Sequence, residues 1–317
     1  MKLVKLDLGY GYTKGACEKQ SIKFQSVIGE GKELFEGQFK EGDLIYDNKY
    51  FIGDLAVRQS DVCYFSKREN KAEAVTTEIL AKAALGVLNP HSDSLLVTGL
   101  PVDFYFQQKE HFSNFLLKLN EASTYEINLF DQSIVAKPFI HQFKIVPQPL
   151  GSAMDYLLDD KGNIAVPEAK QRILIVDIGF YTLDMLILNA MEIDKKSYSS
   201  NELGVSVAYR YLQKLIRNSF KQSPQLYELD KIVLSGVYEG KDIGPLIRKA
   251  FDILSTQINE EIESLNMNFQ KIILTGGAAN FLNVLLPNTI TLPNPQFGNV
   301  RGYGKIGRRV WKESSLD

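Results

Sequence analysis

Short apolar runs punctuated by glycine alternate along this chain, and they fall into two kinds. One kind is continuous and β-prone: "LVKLDLG" (3–9), "SLLVTGL" (94–100), "ILIVDI" (173–178), "KIVLSG" (231–236) and "KIILTGG" (271–277). Runs of this length, rich in Val, Ile and Leu and bounded by turn residues, predict buried strands. The other kind has helical spacing. Val75, Ile79, Ala83 and Val87 share one face within 72–88, which predicts a helix. "KEHFSNFLLKLN" (109–120) continues as an amphipathic helix, and "ELGVSVAYRYLQKLIRNSF" (202–220) predicts one entered through Gly204. Further helices are expected at about 240–265 and in "NVRGYGKIGRRVW" near the C-terminus. Residues 21–62 mix short strand-like pieces with Gly and charged turns, the pattern of a small β-rich insertion.

One pattern occurs twice. "LDLGYGYTKG" and "VDIGFYTLDM" each run strand, Asp, apolar, Gly, aromatic, turn, with Asp7 and Asp177 170 positions apart. Three glycines in the first copy predict that the chain doubles back as a hairpin. Between the copies, "VPQPLGSAMDYLLDD" predicts a strand end, a rigid Pro147-Gln148-Pro149 turn and a helix starting near Leu150. The polar "DDKGN" at 159–163 reads as a loop. These signals place a domain boundary between about 150 and 171. The expected domains are 1–155, with 300–317 packing back onto it, and 156–299.

Composition narrows the picture. With 317 residues, 44% of them hydrophobic, the chain can fill two modest cores. Its 36 basic and 38 acidic residues nearly cancel, to a formal charge of −2. No basic stripe interleaved with aromatics occurs, so direct nucleic-acid binding is not expected. Two cysteines, Cys17 and Cys63, suit ordinary thiols in a reducing cytoplasm rather than a disulfide framework. His91, His111 and His141 lack metal-ligand spacing. Lys2, Lys5 and Asp7 interrupt any N-terminal apolar signal core. No apolar run reaches ~18 residues, so no membrane span is expected.

The repeated motif carries the candidate chemistry. A carboxylate at a strand tip before a Gly turn needs water, a cation or hydrogen-bond donors. Two such tips, one per domain, could face each other across a cleft. Backbone N–H groups of the two turns, Gly9, Tyr10, Gly11, Tyr12 and Thr13 in the first and Gly179, Phe180, Tyr181 and Thr182 in the second, could cradle phosphate oxygens. Asp7 and Asp177 could hold a hydrated Mg²⁺ through its waters, and Lys14 could reach the phosphates. Gln148, fixed between two prolines, could orient an attacking water. In "LTGGAANF" (274–281), Gly276 and Gly277 leave no side chain at the turn. A flat base could pack there, beside Ala278 and Asn280.

In this order the motifs resemble those of the actin-like ATPase superfamily. "DLGYGYTKG" is similar to its first phosphate motif, "PQPLG" to its first connecting motif and "DIGFYTLD" to its second phosphate motif. "LTGGAANF" is similar to its adenosine motif and "NVRGYGKIG" to its second connecting motif. Within the superfamily the chain most resembles the prokaryotic ParM-type plasmid segregation actins and their archaeal relatives. "FIGDLA" (51–56) and "VTGLPVDFY" (97–105) add to this. The resemblance implies an α/β actin-like, ribonuclease H-like fold of two duplicated domains around a nucleotide cleft. It implies binding of ATP or GTP with Mg²⁺, hydrolysis, self-assembly into filaments and, for the segregation type, a DNA-binding adaptor protein. Asp7 and Asp177 fall on its Mg²⁺-ordering aspartates and Gln148 on its water-activating position. Gly9, Gly11 and Gly179 fall on its phosphate loops and Lys14 on its phosphate lysine. Gly276, Gly277 and Ala278 fall on its nucleoside turn, and Glu202 to Lys214 covers the region that touches ribose.

Where many relatives carry Ser or Thr after the motif glycine, this chain has Tyr10 and Phe180. A phosphate contact from a hydroxyl would then come from Thr13 or Thr182, or be absent. Two other readings share the scaffold. One is a sugar or acetate kinase, with Asp103 as the conceivable base; the other is a nucleotide-binding scaffold with little turnover.

Overall fold

The computed structural model describes residues 1–66, 71–284 and 286–311, with the backbone alone at 195–197. The chain divides into two compact units. Unit 1 is Met1–Val166 together with the stretch from Phe297 onward; unit 2 is Pro167–Gln296. The last residues of the predicted 300–317 segment, 312–317, lie outside the described residues.

Unit 1 opens with strands β1 (Lys2–Leu8), β2 (Tyr12–Cys17) and β3 (Gln20–Gln25). Strands β4 (Val27–Glu30), β5 (Leu44–Tyr46) and β6 (Tyr50–Ile52), the short helix α1 (Asp54–Gln59) and strand β7 (Cys63–Phe65) follow. Next come α2 (Val75–Leu88), β8 (Asp93–Leu100), α3 (Val102–Leu119), β9 (Tyr125–Leu129), β10 (Ser133–Ala136), β11 (Phe139–Pro147) and α4 (Gln148–Leu157). The main sheet has the order β11-β8-β1-β2-β3. Its β1–β2 pair is antiparallel and its β1–β8 and β8–β11 pairs are parallel. The expected insertion is real, but it forms a separate six-stranded sheet, β10-β9-β5-β6-β4-β7. Two of its strands come from 125–136, which the hydrophobic pattern does not single out.

Unit 2 contains β12 (Arg172–Ile178), β13 (Leu183–Asn189), β14 (Glu192–Asn201) and α5 (Val205–Phe220). It continues through α6 (Leu229–Ser235), the ribbon β15 (Val237–Tyr238) and β16 (Lys241–Asp242), α7 (Gly244–Ser264), β17 (Lys271–Gly276) and β18 (Thr289–Thr291). Its sheet order is β14-β13-β12-β17-β18. The β12–β13 and β13–β14 pairs are antiparallel; β12–β17 and β17–β18 are parallel. Each unit therefore has an Asp-bearing first strand between its antiparallel hairpin partner and a parallel strand.

Two expectations are corrected. "KIVLSG" is not a strand but most of α6, closed by Gly236 in the left-handed region at φ 72°. Leu229 and Val233 are buried and Ile232 packs beside them, a helical i, i+3, i+4 set, while Leu234 is exposed. Read six residues at a time, that stripe passes for a β run. Pro147-Gln148-Pro149 is not a turn either. Strand β11 ends at Pro147, and Gln148 is already the first residue of α4. Proline suits the entry to a helix because its missing N–H would have no intrahelical partner there.

The final helix α8 (Gly298–Val310) belongs to unit 1 and packs on α4. Glycines permit that close approach. A Cβ on Gly302 would lie 1.7 Å from the Gly151 carbonyl oxygen, and one on Gly151 would lie 2.8 Å from that of Asn299. Tyr303, fully buried, lies under Gly99 of β8. Asn299 Oδ1 accepts hydrogen bonds from the Ser152 backbone N–H at 3.2 Å and its hydroxyl at 2.7 Å. Arg301 donates to Asp155 through two nitrogens, at 2.8 and 2.6 Å. The Lys305 ammonium donates to the carbonyls of Asp155 and Leu158 at the end of α4, where a cation complements the helix dipole.

Candidate functional site

The repeated motif forms one Asp-bearing hairpin in each unit. In unit 1, β1 and β2 make the predicted hairpin, with Leu8 opposite Thr13 and Asp7 opposite Lys14. Directly opposed residues point to the same face, so the register itself brings Asp7 and Lys14 together. Asp7, 1% exposed, pairs through Oδ2 with the Lys14 ammonium at 2.7 Å. Its Oδ1 accepts a hydrogen bond from the Gln148 amide at 2.8 Å. The prediction that this carboxylate needs a cation or donors is met on both oxygens. Gln148 is itself buried. The structure therefore gathers Asp7, Lys14 and Gln148 into one cluster.

The turn between β1 and β2 is held from behind by Ser26, which links β3 to β4. The Ser26 hydroxyl donates to the Gly9 carbonyl at 2.6 Å, and the Ser26 N–H donates to the Gly11 carbonyl at 2.9 Å. In a trans peptide the C=O and the next N–H point in opposite directions. Tying back the carbonyls of Gly9 and Gly11 turns the N–H groups of Tyr10 and Tyr12 the other way. Successive amides fixed in this manner form an anion-binding concavity. Ser26 was not among the residues expected from sequence.

Unit 2 repeats the device with different parts. Gly179 N–H donates to the Thr182 carbonyl at 2.8 Å and closes the turn. The first amides of α5 hold it from behind: Val205 N–H donates to the Gly179 carbonyl at 3.0 Å and Ser206 N–H to the Phe180 carbonyl at 2.8 Å. Two amides that a helix start leaves without intrahelical partners are thus satisfied by the loop. By the same peptide geometry, the N–H groups of Phe180 and Tyr181 turn away from α5. Gly204 lets the helix come this close, since a Cβ there would meet the Tyr181 carbonyl carbon at 2.5 Å. Within the expected ribose region, Glu202 is exposed just ahead of this helix start.

The register partner of Asp177 is Asp184, the counterpart of Lys14. Both carboxylates are buried, and Asp184 accepts a hydrogen bond from the Thr182 hydroxyl at 2.9 Å. Directly opposed residues share a face, so the register puts two oxygen-donor side chains side by side, the donor type that a small divalent cation takes. Asp184 was legible as the last residue of "DIGFYTLD" but was not singled out.

The hydroxyls of Thr13 and Thr182 are not presented to a ligand. Thr13 is fully buried, with its hydroxyl 3.0 Å from that of Ser26, and Thr182 is spent on Asp184. The aromatics after the motif glycines are anchors. Tyr10 is buried, and the Phe180 ring packs edge-on against Tyr181 and Tyr209, with centroids 4.7 and 6.1 Å away. Burial pushes the Tyr181 phenol upward in pKa, while nearby Arg210 acts in the opposite direction.

The turn expected to meet a nucleoside, at Gly276 and Gly277, follows β17. Gly276 has φ +94°, and a Cβ there would meet the Ile178 carbonyl oxygen at 2.3 Å and Asp177 Oδ1 at 2.7 Å. A side chain is excluded sterically as well as conformationally. Gly277 is exposed, and its missing Cβ would meet only Gln296 within 4 Å, at 3.8 Å. Asn280 is exposed beside it, whereas Ala278 is buried in the core. Ala278 could therefore offer a ligand backbone rather than side chain. No group of three or more acidic, Cys or His side chains suited to a metal occurs among the described residues. Likewise, no helix among them is long and apolar enough to cross a membrane.

Comparisons with known proteins agree with this geometry. Residues 6–151 match the family described as "Actin like proteins N terminal domain", and residues 175–287 match "Archaeal actin homologue MreB-like, C-terminal". The fold is that of a ParM filament from Clostridium botulinum, with a TM-score of 0.78, 24% identity and coverage of 97% of this chain and 99% of that one. It is equally that of an archaeal actin homologue, with a TM-score of 0.79, 20% identity and 98% and 100% coverage. The ADP complex of that homologue matches with a TM-score of 0.76, 21% identity and the same coverage of 98% and 100%. A search of curated proteins finds no match. Matched over both units, and carrying the repeated Asp hairpin in each, the chain belongs to the actin-like superfamily.

Proposed function

We propose that this chain is a nucleotide-dependent, filament-forming actin-like protein that binds a Mg²⁺-bound nucleoside triphosphate and hydrolyses it. The observation that carries the reading is the matched pair of hairpins. Each has its turn carbonyls tied back, its turn amides directed outward, and a buried aspartate at the strand tip. In this reading the amides of Tyr10, Tyr12, Phe180 and Tyr181 receive phosphate oxygens. Lys14, now on Asp7, adds positive charge. Asp7, Asp177 and Asp184 hold Mg²⁺ directly or through its waters. When bound, the metal neutralises charge on the terminal phosphates. Gln148 orients the attacking water, and its bond to Asp7 fixes the amide for that task. The bare turn at Gly276 and Gly277 accepts the base.

A ParM filament and an ADP complex among the similar structures support assembly and nucleotide binding. In the segregation role, assembly moves DNA in the cytoplasm through a DNA-binding adaptor, in keeping with a sequence whose 36 basic and 38 acidic residues nearly cancel. The reading is tested by light scattering and phosphate release on adding MgATP or MgGTP. Gln148→Ala should lower phosphate release by about 10- to 100-fold while nucleotide binding persists. Unchanged turnover in that variant would remove Gln148 from the mechanism.

A further inference from the structure

Lys71 is the least expected residue near the first phosphate turn. It lies just ahead of α2, is 3% exposed, and was not singled out by any pattern in the sequence. Lysine is almost never buried this deeply without a task for its charge. Its ammonium donates to the carbonyl of Leu8, the last residue of β1, and sits 4.1 Å from the centroid of the Tyr10 ring. Both contacts fall on the Gly9–Tyr12 turn or its root. Ser26 already holds the carbonyls of Gly9 and Gly11. Lys71 adds the Leu8 carbonyl, so three peptides of the turn and its root are held by side chains or backbone from elsewhere in the chain. Each pinned carbonyl fixes the direction of the N–H that follows it.

We propose that Lys71 is a positioning residue of the first phosphate turn. It locks the Leu8–Gly9 peptide by a charge-assisted hydrogen bond and holds Tyr10 down by a cation–π contact. It also places a positive charge beside the turn whose amides receive phosphate. This explains why an aromatic can replace the usual small hydroxyl residue after Gly9: the ring is the surface on which the ammonium rests. The inference rests on the nucleotide reading above, but its first test does not need nucleotide.

That test is hydrogen exchange of the ligand-free protein, followed by mass spectrometry over residues 24–28, where the Ser26 N–H is bonded to the Gly11 carbonyl of the turn. Lys71→Met keeps length and loses charge; Tyr10→Leu keeps Lys71 and loses the ring. Each should speed exchange there about 10-fold or more, and the double variant should add little to the larger single effect. Lys71→Arg should restore most of the protection. Unchanged exchange in both single variants would overturn the proposal. The second test is affinity for MgATP against adenosine. Lys71→Met should lose about 10-fold or more for MgATP and little for adenosine. A merely structural role would lower the melting temperature without that split. If Lys71→Met speeds exchange yet binds MgATP as the wild type does, the phosphate role is refuted. A wild-type protein that binds no nucleotide, with exchange still governed by Lys71, would overturn the nucleotide reading and leave the clamp standing.

Discussion

Replacing Gly302 by Ala tests whether the α4–α8 crossing is set by backbone contact. The new Cβ would sit 1.7 Å from the Gly151 carbonyl oxygen, 2.5 Å from its carbon and 3.0 Å from the Asp155 nitrogen. All three obstacles are backbone atoms, so no rotamer change relieves them. Ordinary contact needs about 3.5 Å, and the helices must part by roughly 2 Å. Tyr303, the Asn299–Ser152 hydrogen bonds and the Arg301–Asp155 pair all lie at this crossing. Overpacking costs about 1–3 kcal/mol where side chains can adjust; here the cost should be about 3 kcal/mol or more. Gly304, two residues along, is the control. Its missing Cβ would meet Lys5 Cδ at 3.6 Å, an ordinary contact. Alanine there should gain about 0.5–1 kcal/mol from helix propensity. The single tryptophan, Trp311, closes α8, is buried, and donates its indole N–H to Gln142 at 2.7 Å. Its fluorescence reports unit 1 alone. With about 2 kcal/mol per molar urea, the two midpoints should differ by about 2 M. Equal midpoints, or Gly302→Ala within about 0.5 kcal/mol of wild type, would refute the argument.

Other expectations concern different parts of the molecule. Gly204→Ala should push α5 off the second turn, cost about 1–3 kcal/mol and weaken triphosphate binding, as read by melting and titration. The buried Tyr46 and Tyr125 rings lie 5.2 Å apart, and burial pushes the Tyr46 phenol up to about 12 and Tyr125 higher still. Their folded values exceed the unfolded value of about 10. The stability they contribute is therefore complete below pH ~10 and lost as pH rises through the folded values. Trp311 fluorescence should report alkaline unfolding in that window, and Tyr46→Phe should move the midpoint upward. Burial also raises the pKa of both thiols, Cys17 being buried and Cys63 half-buried. A thiol reagent at neutral pH should modify Cys63 at least 10-fold faster than Cys17.

The strands beside the site were legible because their apolar runs are long enough to be buried on both faces, as at 173–178 and 271–276. The Asp7 and Asp177 hairpins were legible because glycine and charge at a strand end leave few other conformations. Strands β9 and β10 were not, because they are short and partly exposed, and α6 was misread because too little of its stripe was visible. At the site, the candidate residues could be named, but those that contact and hold their turns could not. Ser26 and Lys71 act on the first turn from 17 and 63 residues away, and no local pattern encodes such a contact. Whether the Thr13 and Thr182 hydroxyls face a ligand or the interior was left open, because sequence cannot tell which face of a hairpin is buried.

Titration calorimetry with MgATP and MgGTP, on the wild type, Asp7→Ala and Asp177→Ala, goes to the centre of the account. The account predicts saturable binding of at least one triphosphate by the wild type, and a loss of about 10-fold or more in each variant. Failure of the wild type to bind either nucleotide, or full affinity in both variants, would contradict it.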